Sequence, residues 1–487
     1  MNISWQEVKD RFRQIWGYED FRAPQGEIIQ TLLTGKDALI ILPTGGGKSI
    51  CFQLPALLQT GLTIVISPLV ALMENQVKQL QDLGLPGALL HSELPRNQRH
   101  QTLKAIANQK LSLLYLSPET LLSRQVWNII SQPEIKITGI IIDEVHCLIQ
   151  WGTTFRPAYR RLGAVRRSLL QHKPSGTKIA IAAFTATADP QAQREIVNVL
   201  ELKQPQTFLI SPYRQNLRLK IKTVWTPRGR KQQMLRLIQA HKNQSGLVYV
   251  RSRQDSQTLA TWFKSLGYSA AAYHAGLITS NRRSIEQDWI AGKIQFVVCT
   301  SAFGMGIDKP DVRWIVHYHA PELLAEYIQE VGRGGRDGKR ATALTLISEP
   351  TGILDPGDKQ RSQFFGRKLE QQYRQAQQLI KKLPHKGEIA AIKQELPQIE
   401  ATLGILHSTD LVSWQDPFHY QITSRSLKDQ PLISHSSLVA KQKNHHHRMQ
   451  RYLKTKQCRW QYLLQAFGFV KEAQGFKCGN CDRCQTI

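Results

Sequence analysis

At 487 residues the chain is too long for one typical core, and a division into two to four domains follows from size alone. Its 64 Lys and Arg against 37 Asp and Glu give a formal charge of +27, an excess that fits either a solvated basic surface or a polyanionic partner, most often nucleic acid. No apolar run reaches the roughly 18 residues a membrane span needs, and the charged start MNISWQEVKDRFRQIW lacks the apolar segment of a secretory signal. The expectation is a cytoplasmic protein, nucleoid-associated if bacterial, with no membrane partner.

In chain order, short apolar runs alternate with amphipathic helical stretches, the pattern of parallel α/β sheets. DALIILP, LTIVISP, LSLLYLSP, ITGIIIDE and KIAIAAFTAT are the buried-strand candidates of a first region. SGLVYVRS, YSAAAYHAG, IQFVVCTSAFG, VRWIVHY and ATALTLIS are those of a second. The segment QTFLISPYRQN (206–216) reads as the hinge between them. The stretch 202–254 holds 12 Lys or Arg and no acid. Beyond Ser348 the chain turns helical and basic, with DKQRSQFFGRKLEQQYRQAQQLIKKL ended by Pro384 and Gly387. Two short helical stretches then precede LVSWQDPFHYQIT, whose alternation about a QDPF turn predicts a β-hairpin, so that 387–423 has the makings of a winged-helix-like module. KDQPLISHSSLVAKQKNHHH reads as loop. The expected fold class is α/β: two tandem parallel-sheet domains (1–205 and 206–348), a helical region with the inserted module (349–440), and a cysteine-bearing subdomain (441–487).

LPTGGGKS follows a strand and opens a helix. Its glycines let backbone amides curl round phosphates, Lys48 reaches the β/γ-phosphates and the Ser49 hydroxyl ligates Mg²⁺, although Leu42 stands where the general phosphate-loop pattern has its first Gly. Thr44, Gly45, Gly46 and Gly47 complete the cradle. The strand ITGIII ends in Asp143 and Glu144, the first suited to hold Mg²⁺ and the second to orient the attacking water. In the second region YIQEVGRGGRDG offers Gln329, Arg333 and Arg336 to a γ-phosphate. At the C-terminus Cys458, Cys478, Cys481 and Cys484 follow C-x19-C-x2-C-x2-C, a spacing that closes tetrahedrally on Zn²⁺. His445–His447 are competing ligands, or a basic solvated loop.

Taken together, GYEDFRAPQGEII, PTGGGKS, SPLVALMENQV, YLSPE, DEVH, QWG..FRP, FTATA, YHAGL, TSAFGMGIDKPDVR and QEVGRGGRDG resemble the motifs of RecQ-type DNA helicases of superfamily 2. The resemblance runs over roughly residues 8–348 and returns at 450–484. It implies two RecA-like domains, ATP hydrolysis with Mg²⁺, a zinc site, and 3′ to 5′ movement on single-stranded DNA that unwinds duplex or branched DNA in repair and recombination. It also implies that Tyr18, Arg22 and Gln25 recognise the adenine. Strand-end loops offer hydroxyls and amides to DNA phosphates, through Ser67 and Pro68 in the first region and His274, Ser301 and Phe303 in the second.

The loop QWGTTFRP resembles the family's DNA sensor: Trp151 and Phe155 suit base stacking and Arg156 a phosphate, on a short tether to Asp143 and Glu144. Where the family has His-Asp this chain has Thr153-Thr154. Longer relatives continue past the zinc site, whereas three residues follow Cys484 here, which implies a short form with 387–423 as a displaced winged-helix equivalent. Phe418, near the hairpin tip, is then either a strand-parting wedge or, with Trp414 and Tyr420, packing for the module's own helices. Two further readings stand beside a DNA helicase: an RNA helicase of the same superfamily, and a DNA-stimulated ATPase or scaffold without processive unwinding. Protein partners are not legible.

Overall fold

The computed structural model describes residues 3–43, 45–150, 156–303, 307–423 and 435–485, with the side chains of 150, 365, 369, 435–443 and 445 excepted. Two compact units emerge, one from 1–210 with 372–438 and the other from 211–371 with 439–487.

The first unit is built on a seven-stranded parallel sheet. Its strands are β1 (Ala38–Ile41), β2 (Leu62–Ile66), β3 (Gly87–Leu90), β4 (Leu113–Leu116), β5 (Ile137–Ile142), β6 (Ala180–Thr185) and β7 (Gln206–Leu209). They lie in the order β3-β4-β2-β5-β6-β1-β7. Nearly continuous β-branched and aliphatic runs such as ALII, LTIVI and ITGIII suit strands covered on both faces. One apolar cluster, with Ile64, Ile140 and Ile181, fills one side of the sheet, and another, with Ile40, Val65 and Phe184, fills the other. Because every strand runs the same way, all C-terminal ends open on one edge, where ligands sit in such sheets.

The second unit carries a six-stranded parallel sheet. It comprises β8 (Leu217–Val224), β9 (Gly246–Tyr249), β10 (Ala270–Tyr273), β11 (Phe296–Cys299), β12 (Trp314–His317) and β13 (Ala341–Ser348). Their order is β10-β11-β9-β12-β13-β8. β9 passes so close under Trp314 that a Cβ built on Gly246 would stand 2.0 Å from the indole.

The segment 386–422 forms helices Ile389–Glu395 and Ile399–His407 with a small antiparallel sheet of β14 (Lys386–Glu388), β15 (Val412–Trp414) and β16 (His419–Ile422), ordered β14-β16-β15. The expected helices and hairpin are therefore present, with one more strand than foreseen. Trp414, Tyr420 and Ile422 pack with Ile399 and Leu403 inside the module. Phe418 does not. It is 8% exposed and lies edge-to-face on Trp127 of the first sheet's core, ring centroids 5.3 Å apart, with the Arg124 guanidinium 4.6 Å over its face. A ring covered in this way is not available to part a base pair, which removes the wedge reading.

Two other expectations need correction, and one strand is added. The hinge segment begins with β7, paired to β1, so the first unit extends through Ile210 rather than stopping at 205. The added strand is GALL, whose four residues with one Gly carry little pattern in the sequence. The loop assigned to 428–447 is helical from His435, within a helix running His435–Lys454. Polar residues hide its periodicity, and its anchors, Met449, Tyr452 and Leu453, fall beyond the segment read as loop.

Candidate nucleotide, nucleic-acid and metal sites

The phosphate loop joins β1 to the helix Lys48–Leu58, so the helix N-terminus and the loop amides point at the same space. Gly45 and Gly47 take φ of +83° and +71°, conformations open to glycine at little cost. Gln25, 3% exposed, braces the loop: its Nε2 donates to the Gly46 and Gly47 carbonyls at 3.4 and 3.3 Å, while its Oε1 accepts from the Arg22 amide at 3.0 Å. Tyr18 is 52% exposed beside Phe12, and Arg22 is exposed. Thr44 lies outside the described residues.

β5 delivers the two acids. The Asp143 amide donates to the Ile66 carbonyl on β2 and the Val145 amide to the Phe184 carbonyl on β6. Between these fixed points Glu144 adopts φ +48°, a conformation that costs a non-glycine residue on the order of 1 kcal/mol. The turn brings the Glu144 amide to Asp143 Oδ1 at 2.9 Å and Glu144 Oε1 to Lys48 Nζ at 3.4 Å. Burial, with repulsion from Glu144, pushes the Asp143 carboxyl up to about 6. Burial acts the same way on Glu144, but the Lys48 ammonium and the His146 ring outweigh it and hold this carboxyl well below the usual range. Neighbouring acids of opposite tendency suit different tasks.

Two residue sets without an assigned role complete this centre. His146 Nδ1 lies 3.1 Å from Glu144 Oε2 and 3.3 Å from Thr185 Oγ1, and the Thr185 hydroxyl donates to the Thr187 carbonyl. The motifs DEVH and FTATA thus meet through a histidine and a threonine. Their order in the sequence names both segments but not the contact, which depends on β5 pairing with β6.

Of the DNA-contacting candidates in the first unit, Ser67 and Pro68 sit buried just after β2, and Trp151 and Phe155 lie outside the described residues. Arg156 is placed: Nη1 donates to both Glu119 oxygens at 3.2 and 2.9 Å, and Nη2 to the Pro68 carbonyl at 2.5 Å.

In the second unit the loop GRGGRDG is held by Arg214, which donates to the Gly332 and Gly335 carbonyls, and by Asn216 Nδ2, which donates to Gly335 and Lys339. Arg336 Nη1 donates to the Ile307 carbonyl and Asp308 Oδ1 at 3.1 and 2.7 Å. Arg333 is 8% exposed, within the electrostatic reach of Glu330 and Tyr249; Gln329 is half-buried on the helix Leu324–Val331. His274 is buried, its Nδ1 accepting from the Gly276 amide and its Nε2 3.1 Å from Gln257 Nε2, and burial lowers its pKa. Ser301 is exposed. Phe303 is a correction: at 1% exposure it packs edge-on to Tyr273 and Trp289, centroids 4.7 and 5.2 Å away, and serves the core rather than a base.

The four C-terminal thiols converge, their sulfurs all within 4.8 Å of one another. Cys478 and Cys484 stand 3.9 Å apart, Cys458 and Cys481 4.0 Å. A tetrahedron with Zn–S of about 2.3 Å has edges of about 3.8 Å, so the set fits zinc closely. His446 pairs with Glu322 at 2.6 Å and the described imidazoles contribute nothing to this cluster. The amide of Asp482 donates to the Leu219 carbonyl and its Oδ2 accepts from the Ile221 amide, which lays the metal loop along the free edge of β8.

A phosphate loop, a strand-end acid pair, a second parallel-sheet unit with an arginine loop and a four-cysteine module define the class: an NTP-driven helicase with a zinc-binding region. Protein-family models agree, with DEAD/DEAH box helicase matching residues 22–196, helicase conserved C-terminal domain 229–338 and RecQ zinc-binding 422–485. The ATP-dependent DNA helicase RecQ of Synechocystis sp. is 50% identical over 479 residues, covering 98% of both chains. The protein of the same description from Haemophilus influenzae is 40% identical over 338 residues, 69% of this chain but 52% of that one. The chain belongs to the RecQ family of ATP-dependent DNA helicases. Among solved structures, S. cerevisiae Dbp5 bound to RNA and ADP BeF3 matches with TM-score 0.57 at 16% identity over 72% of this chain and 90% of that chain. Mycobacterium smegmatis helicase Lhr bound to ssDNA and AMP-PNP matches with TM-score 0.55 at 21% identity over 71% and 48%. At such identities the likeness is one of fold. No helix among the described residues is long and apolar enough to cross a membrane.

Proposed function

We propose that the protein is an ATP-dependent DNA helicase that moves 3′ to 5′ on single-stranded DNA and unwinds duplex or branched DNA in repair and recombination, in the cytoplasm at the nucleoid. The observation that carries this reading is the Lys48–Glu144–Asp143 cluster at the C-terminal edge of the first sheet, in a chain with a near-full-length RecQ relative. Tyr18, Arg22 and Gln25 take the base, and Gly45 to Ser49, with Thr44, take the phosphates. Ser49 and Asp143 hold Mg²⁺, which supplies charge neutralisation on the phosphate oxygens. Glu144 orients and polarises water, and His146 and Lys48 keep it ionised for that task. Gln329, Arg333 and Arg336 serve the γ-phosphate, a role worth about 10³–10⁵ in turnover where an arginine supplies it. Arg156, with Trp151 and Phe155, meets single-stranded DNA, alongside Ser67, Pro68, His274 and Ser301. Cys458, Cys478, Cys481 and Cys484 hold structural zinc.

Strand displacement on 3′-tailed, 5′-tailed and blunt DNA, with an RNA duplex as control, tests it. ATP-dependent unwinding of the 3′-tailed DNA alone is expected. Preference for the RNA duplex or the 5′ tail, or DNA-stimulated hydrolysis without displacement, would overturn it.

A further inference from the structure

The module at 386–422 is joined to the first unit at a specific place. Immediately after Arg156 the chain makes a 3-10 turn, Pro157–Arg161, and helix Ile399–His407 of the module lies on that turn. Arg161, 7% exposed, is gripped from the module side: its Nε donates to the Pro417 carbonyl at 2.6 Å and its Nη1 stands 3.6 Å from Glu400 Oε1. Its guanidinium carbon lies 6.0 Å from the Phe418 ring. Two residues of the following helix add to the joint, Ala164 in the module's core and Arg167 donating to the Trp414 carbonyl. The Arg161 guanidinium also feels the charge of Glu119, the carboxylate that pairs with Arg156 at 2.9 Å.

Glu400 and Pro417 thus hold Arg161 at one end of the turn, the Tyr159 amide closes the turn on the Arg156 carbonyl at 3.1 Å, and Glu119 and the Pro68 carbonyl hold the Arg156 side chain at the other end. We propose that the helix–hairpin module is a positioning element for Arg156, with Glu400 and Arg161 as its positioning residues. It fixes the far end of the turn so that Arg156 is presented to a DNA phosphate rather than left to wander. The inference rests on the reading of Arg156 as a DNA contact.

The physical case is that a buried guanidinium requires acceptors. Removing those the module supplies leaves Arg161 without compensation in a poorly solvated place, and the turn must move to recover them. A turn of five residues transmits such a shift to its neighbour. Packing for stability alone requires only the apolar contact of Phe418 on Trp127; it does not require an acid and a carbonyl aimed at the residue five places after Arg156.

The test uses the full-length protein and single-stranded oligonucleotide. In Glu400→Arg the DNA concentration for half-maximal ATPase stimulation should rise about fivefold or more, while the DNA-free rate and the KM for ATP stay within twofold. Glu400→Gln, which keeps an acceptor, should fall between this variant and the parent. An unchanged DNA response in Glu400→Arg, or equal losses with and without DNA, overturns the proposal. If Glu400→Arg fails to fold, Glu400→Gln is judged by the same criteria. Arg156→Ala separates the two levels: if it leaves DNA stimulation intact, the underlying reading of Arg156 fails, whereas a loss there with normal Glu400 variants defeats the module's role alone.

Discussion

Lys48 Nζ stands 3.4 Å from Glu144 Oε1, so the amine proposed to serve the nucleotide is paired with the acid proposed to serve the water. Both side chains are largely buried, at 14% and 12% exposure, and each charge answers the other. Nucleotide must draw Lys48 away from this partner. Glu144→Gln weakens the competitor, so ATP is expected to bind at least as tightly as in the parent while turnover falls about 100-fold or more. Lys48→Ala should lose binding and turnover together. Equilibrium nucleotide binding and steady-state phosphate release distinguish the two, and weaker binding by Glu144→Gln would contradict the pairing argument.

Gln25 couples the segment proposed to recognise the base to the phosphate loop, since one amide group contacts Arg22 on one side and Gly46 and Gly47 on the other. Each such bond is worth about 0.5–1.5 kcal/mol net. Gln25→Ala is therefore expected to raise the KM for ATP about tenfold, with a smaller change in kcat. The reverse pattern, an intact KM and a lost kcat, would mean that Gln25 acts on the reacting phosphate instead.

Residues whose meaning lies in local spacing were legible in the sequence. Lys48 belongs to a loop that must be glycine-rich, Asp143 and Glu144 end a strand, and three of the four cysteines sit within seven positions. What escaped depends on pairing between distant segments. His146 reaches Thr185 only because β5 and β6 are neighbours, and Phe418 finds Trp127 291 positions earlier in the chain. Phe303 looks like a loop aromatic beside glycines, yet the hydrophobic gain of filling the space between Tyr273 and Trp289 draws it inward. A sequence shows that such a ring is present without showing which apolar surface it covers.

His407 gives the module a pH dependence. It stacks beside Trp414, ring centroids 5.5 Å apart, and its Nδ1 has no hydrogen-bond partner among the described residues. Burial, together with the charges of Arg160 and Arg167, pushes its pKa down to about 3. The folded form thus binds the proton less well than the unfolded chain, whose histidine titrates near 6.5. The stability of the neutral ring is complete above that pH and is lost as pH falls below it, by about 2 kcal/mol at pH 5. Melting temperatures of the parent and His407→Phe at pH 7.5 and 5 should show the parent losing more on acidification. Parallel losses would place the titration elsewhere.

β8 pairs with β13 on one side only, and an unpaired strand edge is an invitation to aggregation unless something covers it. The zinc loop provides the cover: Asp482 bonds Leu219 and Ile221, Asn480 Nδ2 donates to the Gln215 carbonyl and Trp460 Nε1 to that of Leu217. Arg459, 1% exposed, clamps Asp482 through two bonds of 2.8 Å, so the geometry of the edge contact depends on the residues between Cys458 and Cys484 staying folded. In small metal modules that folding is bought by the metal. One zinc per chain is expected in the parent and none in Cys481→Ser. With the metal gone, amide hydrogen exchange across 217–224 should quicken about 100-fold or more while the central strand β9 keeps its protection, since its pairing with β11 and β12 is untouched. Chelation of the parent protein should reproduce the pattern. If zinc is verifiably lost and β8 remains protected, the metal does not hold the loop that covers the edge, and its contribution lies elsewhere in the C-terminal module.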